Sequence, residues 1–143
     1  RKIGQKMNKL LEQLKIHEGF RSTVYTCSAG KKTCGYGRNL DDVGLTVEES
    51  EMLLRNDVLT ATTQVLNAFP WMSSWNDARS SAIINLTFNI GINGVKKFKN
   101  ALASMKENDF ENGALHLLDS KWAAQVGNRA IEIAEQIRTG KWA

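Results

Sequence analysis

Apolar residues recur at helical spacing from the start of the chain. Ile3, Met7, Leu10, Leu11 and Leu14 fall on one side of a helix over 3–16, with lysines and glutamines between them. That face needs a core. The competing arrangement is a membrane-surface helix, because the polar side is lysine-rich. The packed arrangement is adopted because the helix runs straight into a chemically dense stretch, and Gly19 stops it there. From 22 to 37 the helical period is lost. Thr23, Val24, Tyr25, Thr26 and Cys27 favour a strand, Ser28-Ala29-Gly30-Lys31 supplies a turn, and 32–36 returns. The pattern predicts a small hairpin with no supported third strand after Gly37. A hairpin of that size is marginal alone and has to dock on helices.

Thr46-Val47-Glu48-Glu49 is a capping box, with the threonine hydroxyl and the glutamate reciprocally satisfying the first amides of a helix. That helix is expected to run to about residue 67, with Val47, Met52, Leu54, Val58, Leu59, Val65 and Leu66 as its apolar candidates. About twenty residues extend roughly 30 Å, enough to connect two lobes. Phe69-Pro70-Trp71 breaks it. Ser74-Trp75-Asn76-Asp77 reads as a second capping box, opening a helix over 75–90 that Gly91 closes. Its centre, 82–88, is apolar nearly all round, the mark of a central buried helix, with Asn85 as an amide in need of partners. Further helices are expected over 95–106, 110–118, 121–125 and 128–138, with Asp109 and Asn128 as caps and Gly140 as the final stop. The fold class is α+β and mostly α. One domain, 1–143, comprises a hairpin lobe over about 18–57, a long connecting helix, and a helical lobe over about 58–143 that also takes the N-terminal helix.

Composition narrows the function. At 143 residues, 42% hydrophobic and 24% charged, the chain has the balance of a soluble globular protein with a sizeable core. Its net charge of +4 suits an anionic partner such as an acidic polymer or a bacterial envelope surface, and surface solubility explains it equally well. The lysines (Lys2, Lys6, Lys9, Lys31, Lys32, Lys96, Lys97, Lys99) are spread along the chain rather than gathered on a recognition helix, which argues against nucleic acid. Cys27 and Cys34, the two cysteines, have no zinc-type spacing but could meet across the hairpin. No run is long enough to span a bilayer and no signal-peptide pattern is visible; an anchor or signal could precede Arg1.

The chemistry concentrates in His17–Arg38. Glu18, beside an apolar helix end and a glycine, is placed to be partly desolvated and so to serve as a general acid. After eight intervening residues Cys27 offers a thiol that becomes a nucleophile if its proton is easily lost, and otherwise packs as a small hydrophobe. After five more, Thr33 offers a hydroxyl that can orient a water, although threonine suits a strand without that role. Gly35-Tyr36-Gly37 comes next as tight backbone.

Glutamate, eight residues, aspartate or cysteine, five residues, then threonine resembles the catalytic triad of the phage T4-type lysozymes (glycoside hydrolase family 24). The similarity continues in Gly35-Tyr36-Gly37, in Asn85-Leu86-Thr87-Phe88-Asn89-Ile90-Gly91 as the central helix, and in Asn128-Arg129-Ala130 and Arg138-Thr139-Gly140-Lys141-Trp142 near the C-terminus. It spans nearly the whole chain. The resemblance implies a lysozyme-like fold and a monomeric muramidase that acts on bacterial peptidoglycan without metal or cofactor. It implies Glu18 as the acid, and Cys27 and Thr33 as the groups on the opposite face of the sugar. It further implies Phe88 and Asn89 as cleft-facing substrate contacts, and Arg129 as an arginine that pairs with the catalytic glutamate. A protein of this kind is made in the host cytoplasm and reaches the periplasm and wall at lysis. Cysteine at the aspartate position leaves nucleophile, base and bystander open for Cys27, and the stereochemistry with them. Arg38 and Asn39, where many relatives carry histidine and leucine, are expected to alter local ion pairing and sugar contacts.

Three rivals stay open on the sequence alone. A lytic transglycosylase would cleave the same bond with a lone glutamate. A non-catalytic envelope-binding module would have no need of the acid. A membrane-disrupting protein would act through the first helix. Trp122 and Trp142, within signature segments, are assigned to structure, and Trp71 and Trp75 to core and cap packing.

Overall fold

The structure, a computed structural model, describes residues 2–143, with side chains from Gly4 onward, so the expectations for the Lys2 and Ile3 side chains lie outside it. The fold class is the expected α+β. Among the described residues, helix α1 (Lys2–Glu18) is followed by strands β1 (Arg21–Thr26), β2 (Lys32–Gly35) and β3 (Arg38–Asn39), then helix α2 (Val47–Ala68). A 3-10 turn (Pro70–Ser74) leads to α3 (Asp77–Lys96), α4 (Lys99–Lys106), α5 (Phe110–Leu118), α6 (Lys121–Val126) and α7 (Asn128–Thr139). Two compact units emerge, Arg1–Glu51 and Met52–Ala143.

In the first unit α1 ends where expected. Gly19 adopts φ +68° and its amide donates to the Lys15 carbonyl at 3.0 Å, closing the helix in a left-handed turn. The three strands form an antiparallel sheet in sequence order, with Tyr25 opposite Thr33 and Thr33 opposite Asn39. β3 is thus an addition to the expected hairpin. At two residues it is too short to carry any alternation of its own, and Cys34↔Arg38 pairing is what defines it. The packed reading of α1 finds no cover within its own unit, where Met7, Leu10, Leu11 and Leu14 remain 40–55% exposed. Thr33 is the unit's single buried side chain among the described residues.

The core belongs to the second unit. Val65, Phe69 and Met72 pack with Ala82, Ile83 and Leu86 of α3, Val95, Ala101 and Met105, Leu117, Trp122, and Ala130, Ile133 and Ile137 of α7. Of the apolar candidates proposed for α2, only Val65 is buried. The capping box at Thr46 forms as expected: the Thr46 amide donates to Glu49 Oε1 at 2.9 Å and the Glu49 amide to Thr46 Oγ1 at 3.1 Å.

Two helix-end expectations change. α3 starts at Asp77, capped by Asn76, whose Oδ1 accepts from the Arg79 amide at 3.0 Å; Ser74 instead bonds back to the Trp71 carbonyl. Gly91, at φ 78° and ψ 160°, is non-helical and closes the first part of α3 where expected; a second helical stretch runs on to Lys96. Asn128 does not cap α7; its side chain reaches Glu132, and the cap of α6 is Ser120, accepting from the Ala123 amide at 3.1 Å. Asp109 caps α5 as expected. Nor is α3 buried all round: Ala82, Ile83 and Leu86 face the core, while Asn85, Phe88 and Asn89 face out.

Candidate active site

Glu18 is the last residue of α1, and its exposed side chain lies against the backbone between β2 and β3. Gly37 sits at φ +75°, and a Cβ placed on it would lie 2.8 Å from Glu18 Oε2 and 3.1 Å from the carboxyl carbon. The carboxyl therefore rests directly on the Gly37 backbone. Only glycine meets both demands, a left-handed φ and no side chain.

Cys27 and Thr33 meet on the far side of the hairpin turn. The Cys27 amide donates to the Lys31 carbonyl at 2.9 Å and its carbonyl accepts from Gly30 at 2.9 Å, so the turn closes beneath the thiol. Backbone groups of Lys31 and Ala29, and then the Thr33 hydroxyl, pull the Cys27 thiol below the usual thiol range. Thr33 also donates to the Lys31 carbonyl at 3.0 Å. One hydroxyl carries one proton, so Thr33 either holds that carbonyl and accepts from the thiol or rotates to donate to the thiolate.

The question of a Cys27–Cys34 bridge is answered by the register. Cys27 lies one residue beyond the Thr26↔Lys32 pair and Cys34 two residues to its other side. Three residue steps separate them by about 10 Å along the hairpin, beyond the roughly 7 Å over which two Cα atoms can be bridged. Both are free thiols, and Cys34 Sγ faces the Arg21 and Ser22 carbonyls at 3.7 and 3.8 Å.

Charged groups around the turn hold this geometry, and most of them went unread in the sequence. Asp41 Oδ2 accepts from the Lys32 amide at 2.8 Å, and Asp42 accepts from Asn39 Nδ2 at 3.0 Å and pairs with Lys31 at 3.2 Å. The only signal was an Asn-x-x-Asp spacing in a loop. Arg38 is ion-paired: its guanidinium donates to Glu49 Oε1 at 2.8 Å and to the Gly44 carbonyl at 2.9 Å, with a second close contact to Glu49 Oε2. The paired guanidinium, with help from the Thr46 amide, lowers the Glu49 carboxyl to about 2.

In the second unit Phe88 and Asn89 stand on the exposed face of α3. Asn89 Oδ1 accepts from the indole of buried Trp122 at 2.7 Å, which fixes the amide and leaves its NH2 free to donate outward. Arg129 donates to Asn85 Oδ1 from Nε at 3.1 Å and from Nη2 at 2.7 Å. A cavity of about 600 Å³ is lined by Leu54, Val58, Ile84, Phe88, Arg129 and Trp142. Trp142, expected to be structural, is instead 66% exposed at its rim. Among the described residues no cluster of His, Cys, Asp or Glu is placed to hold a metal ion.

The family model described as phage lysozyme matches residues 15–137, a span that includes Glu18, Cys27, Thr33, Phe88, Asn89 and Arg129. The chain belongs to the phage lysozyme family. It is 26% identical to "Probable T4-type lysozyme 2" of Dictyostelium discoideum, over 94% of this chain and 96% of that protein. It is 32% identical to "Probable T4-type lysozyme 1" of the same organism, over 67% of this chain and 58% of that one. An "Endolysin" of Acyrthosiphon pisum secondary endosymbiont phage 1 is 36% identical over 55% of each chain. The protein is thus a glycoside hydrolase of the lysozyme type, with peptidoglycan as its substrate and the cell wall as its place of action. No described helix is long and apolar enough to cross a membrane.

Proposed function

We propose that this phage-type lysozyme hydrolyses the β-1,4 bond between N-acetylmuramic acid and N-acetylglucosamine, with Glu18 as general acid and Cys27 with Thr33 managing the attacking water. The observation that carries the reading is the Cys27–Thr33 pair: a thiol held below the usual thiol range beside a hydroxyl that also reaches the Lys31 carbonyl. Glu18 gives its proton to the glycosidic oxygen as the C1–O bond breaks, and positive charge develops at C1. A water held by the Thr33 hydroxyl attacks C1 from the other face, and its proton passes to the Cys27 thiolate. The anomeric configuration inverts, and proton exchange with solvent restores both groups. Phe88 and Asn89 contact the sugars, and Arg129, oriented by Asn85, supplies a cation to the acidic polymer. The protein works as a monomer. It is made in the host bacterium and reaches the wall at lysis.

Turbidity loss of outer-membrane-permeabilised Gram-negative cells tests this, with mass spectrometry of the fragments. Reducing ends from the native protein, and clearing abolished in Glu18→Gln, are expected. Anhydro ends would make it a transglycosylase. Clearing that survives Glu18→Gln would assign the activity to the basic helix α1.

A further inference from the structure

The Glu18 carboxyl lies against the Gly37 backbone: a Cβ on Gly37 would come within 2.8 Å of Glu18 Oε2. Gly37 joins β2 to β3 at a left-handed φ of +75°. On one side Gly35 is paired with Arg21 in the sheet. On the other, Arg38 belongs to a strand of two residues, too short to hold its own position.

What secures Arg38 is its side chain. The guanidinium bonds both carboxylate oxygens of Glu49 and the carbonyl of Gly44, joining β3, the loop after it and the first turn of α2. Glu49 is not free to follow Arg38, because its Oε1 also accepts from the Thr46 amide at the helix cap. Both side chains are only about one-third exposed, and a two-pronged guanidinium–carboxylate pair resists rotation where a single contact does not. All of these residues lie in the first compact unit.

We propose that Arg38 is a positioning residue for the acid: its pair with Glu49 fixes the Gly37 backbone, and Gly37 in turn sets where the Glu18 carboxyl points. The proposal rests on the reading of Glu18 as general acid. Arg38 itself need touch no substrate. It transmits the rigidity of the α2 cap to the reacting proton, and a displacement of about 1 Å at such a group costs up to a hundredfold in rate.

The test measures kcat and KM on solubilised peptidoglycan for Arg38→Gln, Glu49→Gln, the two combined, and the charge swap Arg38→Glu with Glu49→Arg, with thermal unfolding of each. Arg38→Gln is expected to lower kcat at least about tenfold while KM stays within about twofold, since orientation and not binding is lost. Glu49→Gln should do the same, the combination no more than either, and the charge swap should recover part of kcat. If Arg38→Gln does not fold, Arg38→Lys decides: it keeps the charge but loses the fork, and kcat should still fall. Folded variants with native kcat, or effects of Arg38→Gln and Glu49→Gln that multiply, would overturn the proposal. Glu18→Gln is run beside them. If it is inactive while Arg38→Gln keeps its kcat, the positioning role fails and the acid stands. If Glu18→Gln is active, the reading of the acid fails and this role with it.

Discussion

A thiol gripped by backbone groups of Lys31 and Ala29 and by the Thr33 hydroxyl ionises below the usual thiol range, and alkylation reads that directly. In a Cys34→Ser background, iodoacetamide should modify Cys27 with a pH midpoint below that of free cysteine. Thr33→Val removes the one side-chain support and should move the midpoint up, with a fall in hydrolysis. A midpoint unmoved by Thr33→Val would separate the hydroxyl from the thiol. Gly37 makes the opposite kind of demand, for absence of a side chain. Gly37→Ala places a methyl 2.8 Å from Glu18 Oε2 on a backbone at φ +75°. The expected cost is about 1–3 kcal/mol of stability from the backbone strain. Displacing the acid should cost up to about a hundredfold in kcat, read by steady-state kinetics and denaturant unfolding side by side. Glu18, Cys27 and Thr33 were singled out in the sequence because their spacing resembles the triad of the phage T4-type lysozymes. Gly37 was visible only as tight backbone, since its contact with Glu18 exists only after the chain turns back. Asp41 and Asp42 were illegible for the same reason: they bond to Lys31 and Lys32 across a fold of the loop.

At the scale of elements, the start of α2 joins local and non-local order. Thr46 and Glu49 are three residues apart, so their reciprocal bonds come from helix geometry and were legible; Arg38 comes to Glu49 from eleven residues away and was not. Asn76 displaced Ser74 as a cap because its amide also reaches the Gly140 carbonyl at 2.8 Å, a contact 64 residues distant. The acid behaviour of the α2 start takes its sign from the lowered Glu49 carboxyl. Its folded value is about 2 against an ordinary 4.5, so the stability it contributes is complete above pH 4.5. That contribution is lost as pH falls toward 2. Solvent and salt screen a pair this exposed, so the effect is modest and shrinks at high ionic strength. Unfolding midpoints measured from pH 6 to pH 2 should decline less steeply in Glu49→Gln than in the native protein, and a parallel decline would remove Glu49 from the acid response. Thr46→Ala should cost about 1 kcal/mol by removing the cap hydroxyl.

Across the whole molecule, burial is distributed unevenly. The apolar cluster lies within Met52–Ala143, whereas the first unit buries Thr33 alone among its described side chains. Hydrophobic burial is the dominant favourable term in folding, so the two units should not open at the same free energy. Native-state hydrogen exchange is expected to release the β1–β3 amides first and those of α3, α5 and α7 last. The helical unit has a fastening of its own that ties α3 to its last helix, α7. Arg79, in the first turn of α3, donates to the Ile137 carbonyl at 2.7 Å and the Arg138 carbonyl at 3.1 Å, with its guanidinium 3.8 Å from the Phe110 ring. Those carbonyls are the unpaired C-terminal acceptors of α7, so a cation there answers both hydrogen bonding and the helix dipole. Arg79→Ala leaves them without their donors and should cost about 2–3 kcal/mol, since bonds to a charged donor are the stronger kind. Arg79→Lys, lacking the fork, should recover less than half of that loss. The exchange pattern decides where the loss falls: α3 and α7 amides should speed up together in Arg79→Ala, while β1–β3, which already open more cheaply, exchange as before. Faster exchange in the sheet would mean that the two units unfold as one.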